Sequence, residues 1–169
     1  ENCGVEYFDY YLLHSLDEGA AKQAEEWGAF DFMLEKKAKG LVKHVGFSFH
    51  DKAEVLDKIL TRHPEMEYVQ LQLNYADWED SEVQSRKCYE VCVKYGKPVL
   101  VMEPIKGGML ANVPAEAEAL LKGARPEMSV ASWAIRFAAS QENVFMVLSG
   151  MSDEQQVEDN LSYMKDFAP

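Results

Sequence analysis

The stretch Val69-Gln70-Leu71-Gln72-Leu73-Asn74 alternates apolar and polar side chains without a break, inside a chain whose other β-rich runs are separated by amphipathic helical stretches. A parallel sheet covered by helices on both faces reads as continuous apolar runs, so one face of this strand must meet polar groups. A closed barrel satisfies both demands, because its inward face near the C-terminal strand ends is the floor of a site. The same parity puts Tyr10, Leu12 and His14 on one side of an earlier run. It puts Gly46, Ser48 and His50 on one side of the next. His14, Ser48 and Asn74 then fall at strand C-terminal ends.

The strands expected are Tyr7 to Leu13, His44 to Phe49, Tyr68 to Leu73, Pro98 to Met102 and Val144 to Leu148. Between them, Phe30, Met33, Leu34, Lys37 and Ala38 recur at helical spacing before Gly40, a stop signal. Val55, Leu56, Ile59 and Leu60 mark a second helix, with Asp51 and Glu54 as its capping box. Cys88, Val91, Cys92 and Tyr95 line a third, which gives the two cysteines a packing role. Ala115 to Lys122 reads as an extra helix inside the long loop that follows the fourth strand. The last two helices carry Val130, Trp133, Ala134 and Phe137, then Val157, Leu161 and Met164, with Ser152 and Gln155 boxing the start of the final one.

Composition narrows the function classes. The 169 residues are 47% apolar and 27% charged, which suits one folded domain over residues 1–169. A net charge of −12 with no basic run repels nucleic acid. No segment approaches the roughly 20 apolar residues of a membrane span, and the odd number of cysteines suits a reducing, cytoplasmic location. Three cysteines without a Cys-x-x-Cys pair argue against a disulfide framework and a metal site. The chain opens on Glu1 and not on Met, which reads as part of a longer protein.

Several residues carry two readings on sequence alone. Each of His14, Ser48 and the strand amides is either a satisfied structural group or a member of a site. Trp27 and Trp78 either wall a pocket or pack on their own domain. Glu103 and Lys106 read as an ion pair, while Lys106-Gly107-Gly108 also suits the approach of backbone amides to a phosphate.

Taken in order, Phe8-Asp9-Tyr10-Tyr11-Leu12-Leu13-His14, Gly40 to Ser48, and Val69 to Tyr75 resemble consecutive strands of an aldo-keto reductase. Met102-Glu103-Pro104-Ile105-Lys106-Gly107-Gly108 and Leu148-Ser149-Gly150 to Asp159-Asn160-Leu161 continue the likeness over essentially the whole chain. Ser48-Phe49-His50 and Met102-Glu103-Pro104 resemble a bacterial subgroup that often carries a ferredoxin-like, iron-sulfur extension, which would lie beyond Pro169.

The resemblance implies an α/β fold of parallel (β/α) units forming about strands 4 to 8, the C-terminal part, of a TIM (β/α)8 barrel. It implies NADH- or NADPH-dependent reduction of aldehydes or ketones by an Asp, Tyr, Lys and His tetrad. His14 matches the His, which orients and polarises the carbonyl; the other three belong to earlier strands. The isolated chain is therefore expected to be inactive. By position, Ser48 and Gln70 match residues that bond the nicotinamide carboxamide, and Met102 stands where many members stack an aromatic ring. Phe49 stands where many have a carboxamide-binding Asn. Lys106, Gly107 and Gly108 match the pyrophosphate loop, Ser149, Gly150 and Met151 the loop toward the adenosine, and Asp159 and Asn160 the adenine pair. Gln156 replaces the Arg that selects a 2′-phosphate, and Asp153 and Glu154 add negative charge beside it, so NADH is expected over NADPH.

The partners implied are a small carbonyl substrate and, at the open sheet edges, the missing N-terminal half or another copy of the chain. A nucleotide-sensing or partner-binding module on the same barrel stays open, as does a flavodoxin-like sheet, against which the Gln70-Gln72-Asn74 strand argues.

Overall fold

The structure, a computed structural model, describes residues 3–165 and 167. Five strands form one sheet: β1 (Phe8–Leu16), β2 (Val42–Phe49), β3 (Tyr68–Gln72), β4 (Val99–Met102) and β5 (Val144–Val147). All pairings are parallel and spatial order equals chain order, so β1 and β5 are the two edges. The connections carry α1 (Glu18–Glu26), α2 (Ala29–Ala38), α3 (Ala53–Arg62), α4 (Ser85–Lys94), α5 (Ala115–Ala124) and α6 (Val130–Ala139). A last helix, α7 (Glu154–Met164), follows β5.

The core lies between the sheet and the helices. Val45, Phe47 and Phe49 of β2, Val69 and Leu71 of β3, and Val99 and Val101 of β4 all point to the helix side, where Met33, Leu56, Ile59, Leu60, Cys88 and Cys92 meet them. In α3 the buried Leu56, Ile59 and Leu60 sit at the i, i+3, i+4 spacing that makes one helical face. Each such side chain contributes about 1.5–3 kcal/mol by leaving water. Burial pushes the Cys88 thiol up to about 12, with Asp51 adding to it, and pushes Cys92 upward as well. Both cysteines are core residues, as their spacing suggested.

The other face is concave. Adjacent strands lie about 4.8 Å apart, which in a flat sheet would separate β1 from β5 by about 19 Å. Yet Tyr10 of β1 stacks on Phe145 of β5 with ring centroids 5.6 Å apart. The sheet is therefore strongly curled, and at the N-terminal strand ends its hollow is filled by Tyr10, His44, Tyr68 and Phe145. Gly46 makes this possible. A Cβ there would collide with the Tyr68 carbonyl oxygen and come within 2.7 Å of its ring.

Four local expectations need correction. Helix α1 lacks the large apolar stripe that announces a helix, since its buried positions are only Ala21 and Ala24; Asp17 caps it, accepting from the Ala20 amide at 2.7 Å. Trp27 ends that helix and is 74% exposed, so it walls no pocket. Asp51 does not cap α3, which begins one residue later at an N-cap of Lys52. Its carboxylate accepts instead from the amides of Glu18 and Lys52, tying the loop to α1. Likewise α7 is capped by Asp153 and not Ser152. The side chain that reaches back is Gln156, not Gln155: its Oε1 accepts from the Ser152 amide at 2.8 Å. The apolar side of α7 is open, with Leu161 63% exposed.

Candidate active site

The polar side chains of the concave face gather at the C-terminal strand ends, where three groups can be distinguished. The first is a cleft of about 350 Å³ between the loops that follow β4 and β5. Its first wall is the turn after Met102. Glu103, Lys106, Gly107 and Gly108 all have φ in the left-handed region, which folds the backbone tightly enough for Ile105 O to accept from both Gly108 and Leu110 amides at 3.1 Å. The Glu103 carboxylate turns inward and accepts from the Gly107 amide at 2.6 Å. This corrects the simple Glu103–Lys106 ion pair.

The second wall is the segment from Leu148 to Ser152 with the first turns of α7. Asn160 donates to Ser149 Oγ at 3.0 Å and accepts from the Tyr163 hydroxyl at 2.5 Å. Asp159 accepts from the hydroxyl of Ser129, the N-cap of α6, at 2.6 Å. Gly107, Gly108, Ser149, Gly150, Met151, Gln156, Asp159 and Asn160 all line this one cleft. Eight residues singled out on three separate segments thus converge. A Cβ on Gly108 or Gly150 would meet nothing within 4 Å, so the backbone there borders open space.

The second group centres on Asp77, which sequence reasoning missed. Its side chain is 0% exposed. Oδ2 accepts from Gln72 Nε2 and Asn74 Nδ2, each at 2.8 Å, and Oδ1 pairs with the Lys106 ammonium. Burial pushes this carboxyl up, but the hydrogen bonds from Lys106, Gln72 and Asn74 and the lysine's charge outweigh it and hold the pKa below its ordinary value. Asn74 returns a bond, its Oδ1 accepting from the Asp77 amide, and its Nδ2 also reaches Glu103 O at 3.0 Å. The alternating polar strand therefore serves to anchor the turn after β4. Lys106 stands at the head of the glycine turn but is not among the cleft lining; its ammonium lies on Asp77. An Asn three residues before an Asp, just past a strand, is a local signal for such a bonded turn.

The third group sits on β1 to β4. Gln70 donates to Met102 Sδ at 3.2 Å. Ser48 is 0% exposed, and its Oγ accepts from the Ser15 amide at 2.6 Å. His14 is exposed, one residue before Ser15. His50 lies near enough that its imidazole is held below its ordinary value, first by burial and then by the charge of His14. Trp78 packs inward, edge-on to Phe137 at 5.3 Å, and belongs to the domain's own packing.

Residues 1–168 match the aldo/keto reductase family, and the chain belongs to it. Among solved structures, the holo form of an aldo-keto reductase from Bacillus halodurans superposes with a TM-score of 0.70 at 17% identity, covering 98% of this chain and 55% of that one. An aldo/keto reductase from Klebsiella pneumoniae in complex with NADP and acetate gives 0.62 at 18% identity, covering 94% and 54%. An aldo-keto reductase from Klebsiella pneumoniae in complex with NADPH gives 0.65 at 19% identity, again covering 94% and 54%. At these identities the likeness is one of fold, and the chain spans little more than half the length of these relatives. No curated protein sequence matches it. The five-stranded curled sheet is thus a segment of the (β/α) barrel of this family. Among the described residues, no helix is long and apolar enough to cross a membrane.

Proposed function

We propose that this chain supplies the nicotinamide-cofactor side and the active-site His of an enzyme that reduces aldehydes or ketones. The observation that carries the reading is the convergence of the residues at 107–108, 149–151, 156 and 159–160 on a single cleft at the C-terminal ends of β4 and β5. That is the end where barrel chemistry is built, and about 350 Å³ lies within the range of small-molecule sites.

The residues present fit the adenosine portion of such a cofactor, and a phosphate reaches the Gly107 amide once the Glu103 carboxylate that holds it turns away. The glycine turn exposes backbone on one wall, and the opposite wall offers the Asn160 amide and the Ser149 hydroxyl. Lys106, one residue before that turn, holds the turn in place through its ion pair with Asp77. Gln70 and Met102 hold adjoining places on the concave strands for the nicotinamide end. The cofactor, when bound, supplies the hydride. His14, exposed at the end of β1, orients and polarises the carbonyl by donating a hydrogen bond to its oxygen.

NADH is the preferred form in this reading. Gln156 carries no charge and is committed to the cap, bonding Ser152 and Asp153. The carboxylates of Asp153 and Glu154 beside it oppose a 2′-phosphate. The open edges at β1 and β5, with Phe8, Tyr11, Met146 and Leu148 exposed along them, are completed by further strands, from the rest of a longer protein or from another copy.

The test uses the complete protein that carries this chain, with carbonyl reduction followed by loss of reduced-cofactor absorbance. His14→Ala lowers kcat by about 10²- to 10⁴-fold, the worth of a positioned acid-base group. In the same preparation NADH binds more tightly than NADPH, and Gln156→Arg shifts the preference toward NADPH. Turnover indifferent to His14, or no shift with the Arg, overturns the corresponding part.

A further inference from the structure

Leu13 and Leu16 are three residues apart, an odd separation that in a regular strand sends side chains to opposite faces. Both nevertheless pack on the helix-side core. The sheet reconciles them with one extra residue. Leu13 pairs with Phe47 and Leu16 with Phe49, so β1 spends three steps where β2 spends two. The bulge falls on His14 and Ser15, and bulges re-aim the side chains they carry. Ser15 takes φ 59, a left-handed conformation that is strained for a non-glycine residue and is kept only when its surroundings hold it there.

What holds it is Ser48. Its Oγ accepts from the Ser15 amide at 2.6 Å, a bond across the β1–β2 pairing at the bulge itself. Among the described residues the only hydrogen bond given to that hydroxyl oxygen is this one, and the Ser48 side chain is fully covered. That bond uses one lone pair of the hydroxyl and leaves its O–H free to donate, so holding the Ser15 amide does not exclude a second contact at the same oxygen.

Resting on the reading of His14 as the group that meets the carbonyl, we propose that Ser48 is a positioning residue. Its hydroxyl fixes the β1 bulge and so sets the direction in which His14 presents its imidazole. Ser48 thereby serves the substrate side through the backbone of Ser15. Removing the hydroxyl frees the Ser15 amide, lets the bulge relax and misplaces the imidazole without touching the nucleotide cleft.

The experiment compares Ser48→Ala and Ser48→Thr with the unaltered complete protein, in three readouts. Hydrogen exchange of the Ser15 amide and the NMR resonances of the His14 imidazole are read without cofactor or substrate. Cofactor Kd and kcat are read separately. In Ser48→Ala the Ser15 amide loses protection, the His14 resonances move, kcat falls about 10- to 100-fold as expected for a group misplaced by about an ångström, and cofactor Kd stays within twofold. Ser48→Thr, which keeps the oxygen, restores protection of the Ser15 amide and most of the rate. A weakened cofactor Kd with kcat intact overturns the proposal and makes Ser48 a direct cofactor contact. Unmoved His14 resonances, or a Ser15 amide that exchanges equally in wild type and Ser48→Ala, overturn it too. Absence of carbonyl reduction in the wild type refutes the proposed function, while the exchange and resonance readouts still decide whether Ser48 sets His14.

Discussion

Tyr68 and Gln72 point to the same concave face of β3, four residues apart, and they are held in opposite ways. Around Tyr68 the hollow is filled by rings, Tyr10, His44 and Phe145, that satisfy one another by shape. The Tyr68 hydroxyl has no hydrogen-bond partner there, and burial, then Tyr10 and Glu67, push its pKa up to about 12. Around Gln72 the polar groups are bonded to one another: Asp77 accepts from Gln72, Asn74 and Lys106, and Ser85 donates to Gln72 O at 2.8 Å. The lower end depends on many weak contacts that tolerate small losses. The upper end depends on a few strong ones that leave a buried group stranded if any is removed. The C-terminal end of this barrel segment is built in the second way.

The largest effect expected of this difference is at Asp77. Asp77→Ala leaves the Lys106 ammonium and two amides without their acceptor, and a loss of about 3 kcal/mol is expected by urea denaturation. A loss under about 1 kcal/mol would erase the contrast between the two ends. The same carboxylate gives stability a pH dependence. Its pKa is lower folded than unfolded, so its contribution is complete above the unfolded value near 3.8 and drains away as pH falls through the folded value. Denaturation curves from pH 6 to 2 should therefore fall more steeply for wild type than for Asp77→Asn.

Gly46→Ala comes next. It probes the ring-filled end by adding one methyl group where the Tyr68 ring already lies, and should cost about 2 kcal/mol as overpacking, read from the shift in denaturation midpoint. If the Tyr68 carbonyl and ring both give way freely, the variant will match wild type and the lower end is looser than its contacts suggest. The smallest effect belongs to Tyr68→Phe. Deleting an unpartnered buried hydroxyl while keeping the ring should change stability by less than about 1 kcal/mol, in either direction. A larger loss would mean that this hydroxyl is bonded, and that the two ends are built alike after all.

Much of this was legible in the sequence because it is written in short-range periodicity. The alternation at Gln70, Gln72 and Asn74 announced a polar concave face, and the runs of β-branched and aromatic residues located all five strands to within a few residues. The glycine turn and the segment from Ser149 to Asn160 were likewise visible, and they do form one cleft. What escaped was set by tertiary partners. Lys106 reads as a partner of Glu103, or as the cation of a phosphate loop, until Asp77, far back along the chain, is brought to its ammonium. The caps of α3 and α7 slipped by one residue because Asp, Ser and Gln neighbours compete for the same amides. Helix α1 went unseen because alanines give it no stripe. The bulge at His14 and Ser15 left only a parity conflict between Leu13 and Leu16, which means nothing until both are known to face the helices.

The strand order of the sheet also bears on how the chain acquires its structure. Each strand pairs with the one before it, one βα unit back, and none waits for a partner from the far end of the sequence. Such a chain has a low contact order for a parallel sheet, so loop-closure entropy is met in modest, similar instalments. Assembly can follow synthesis: the partners for the β1–β2 pairing, and the Ser48 anchor of the bulge at His14 and Ser15, are all made before the glycine turn has left the ribosome. Within this chain the bulged segment is thus complete before the cleft between the loops after β4 and β5, which closes only when α7 is made.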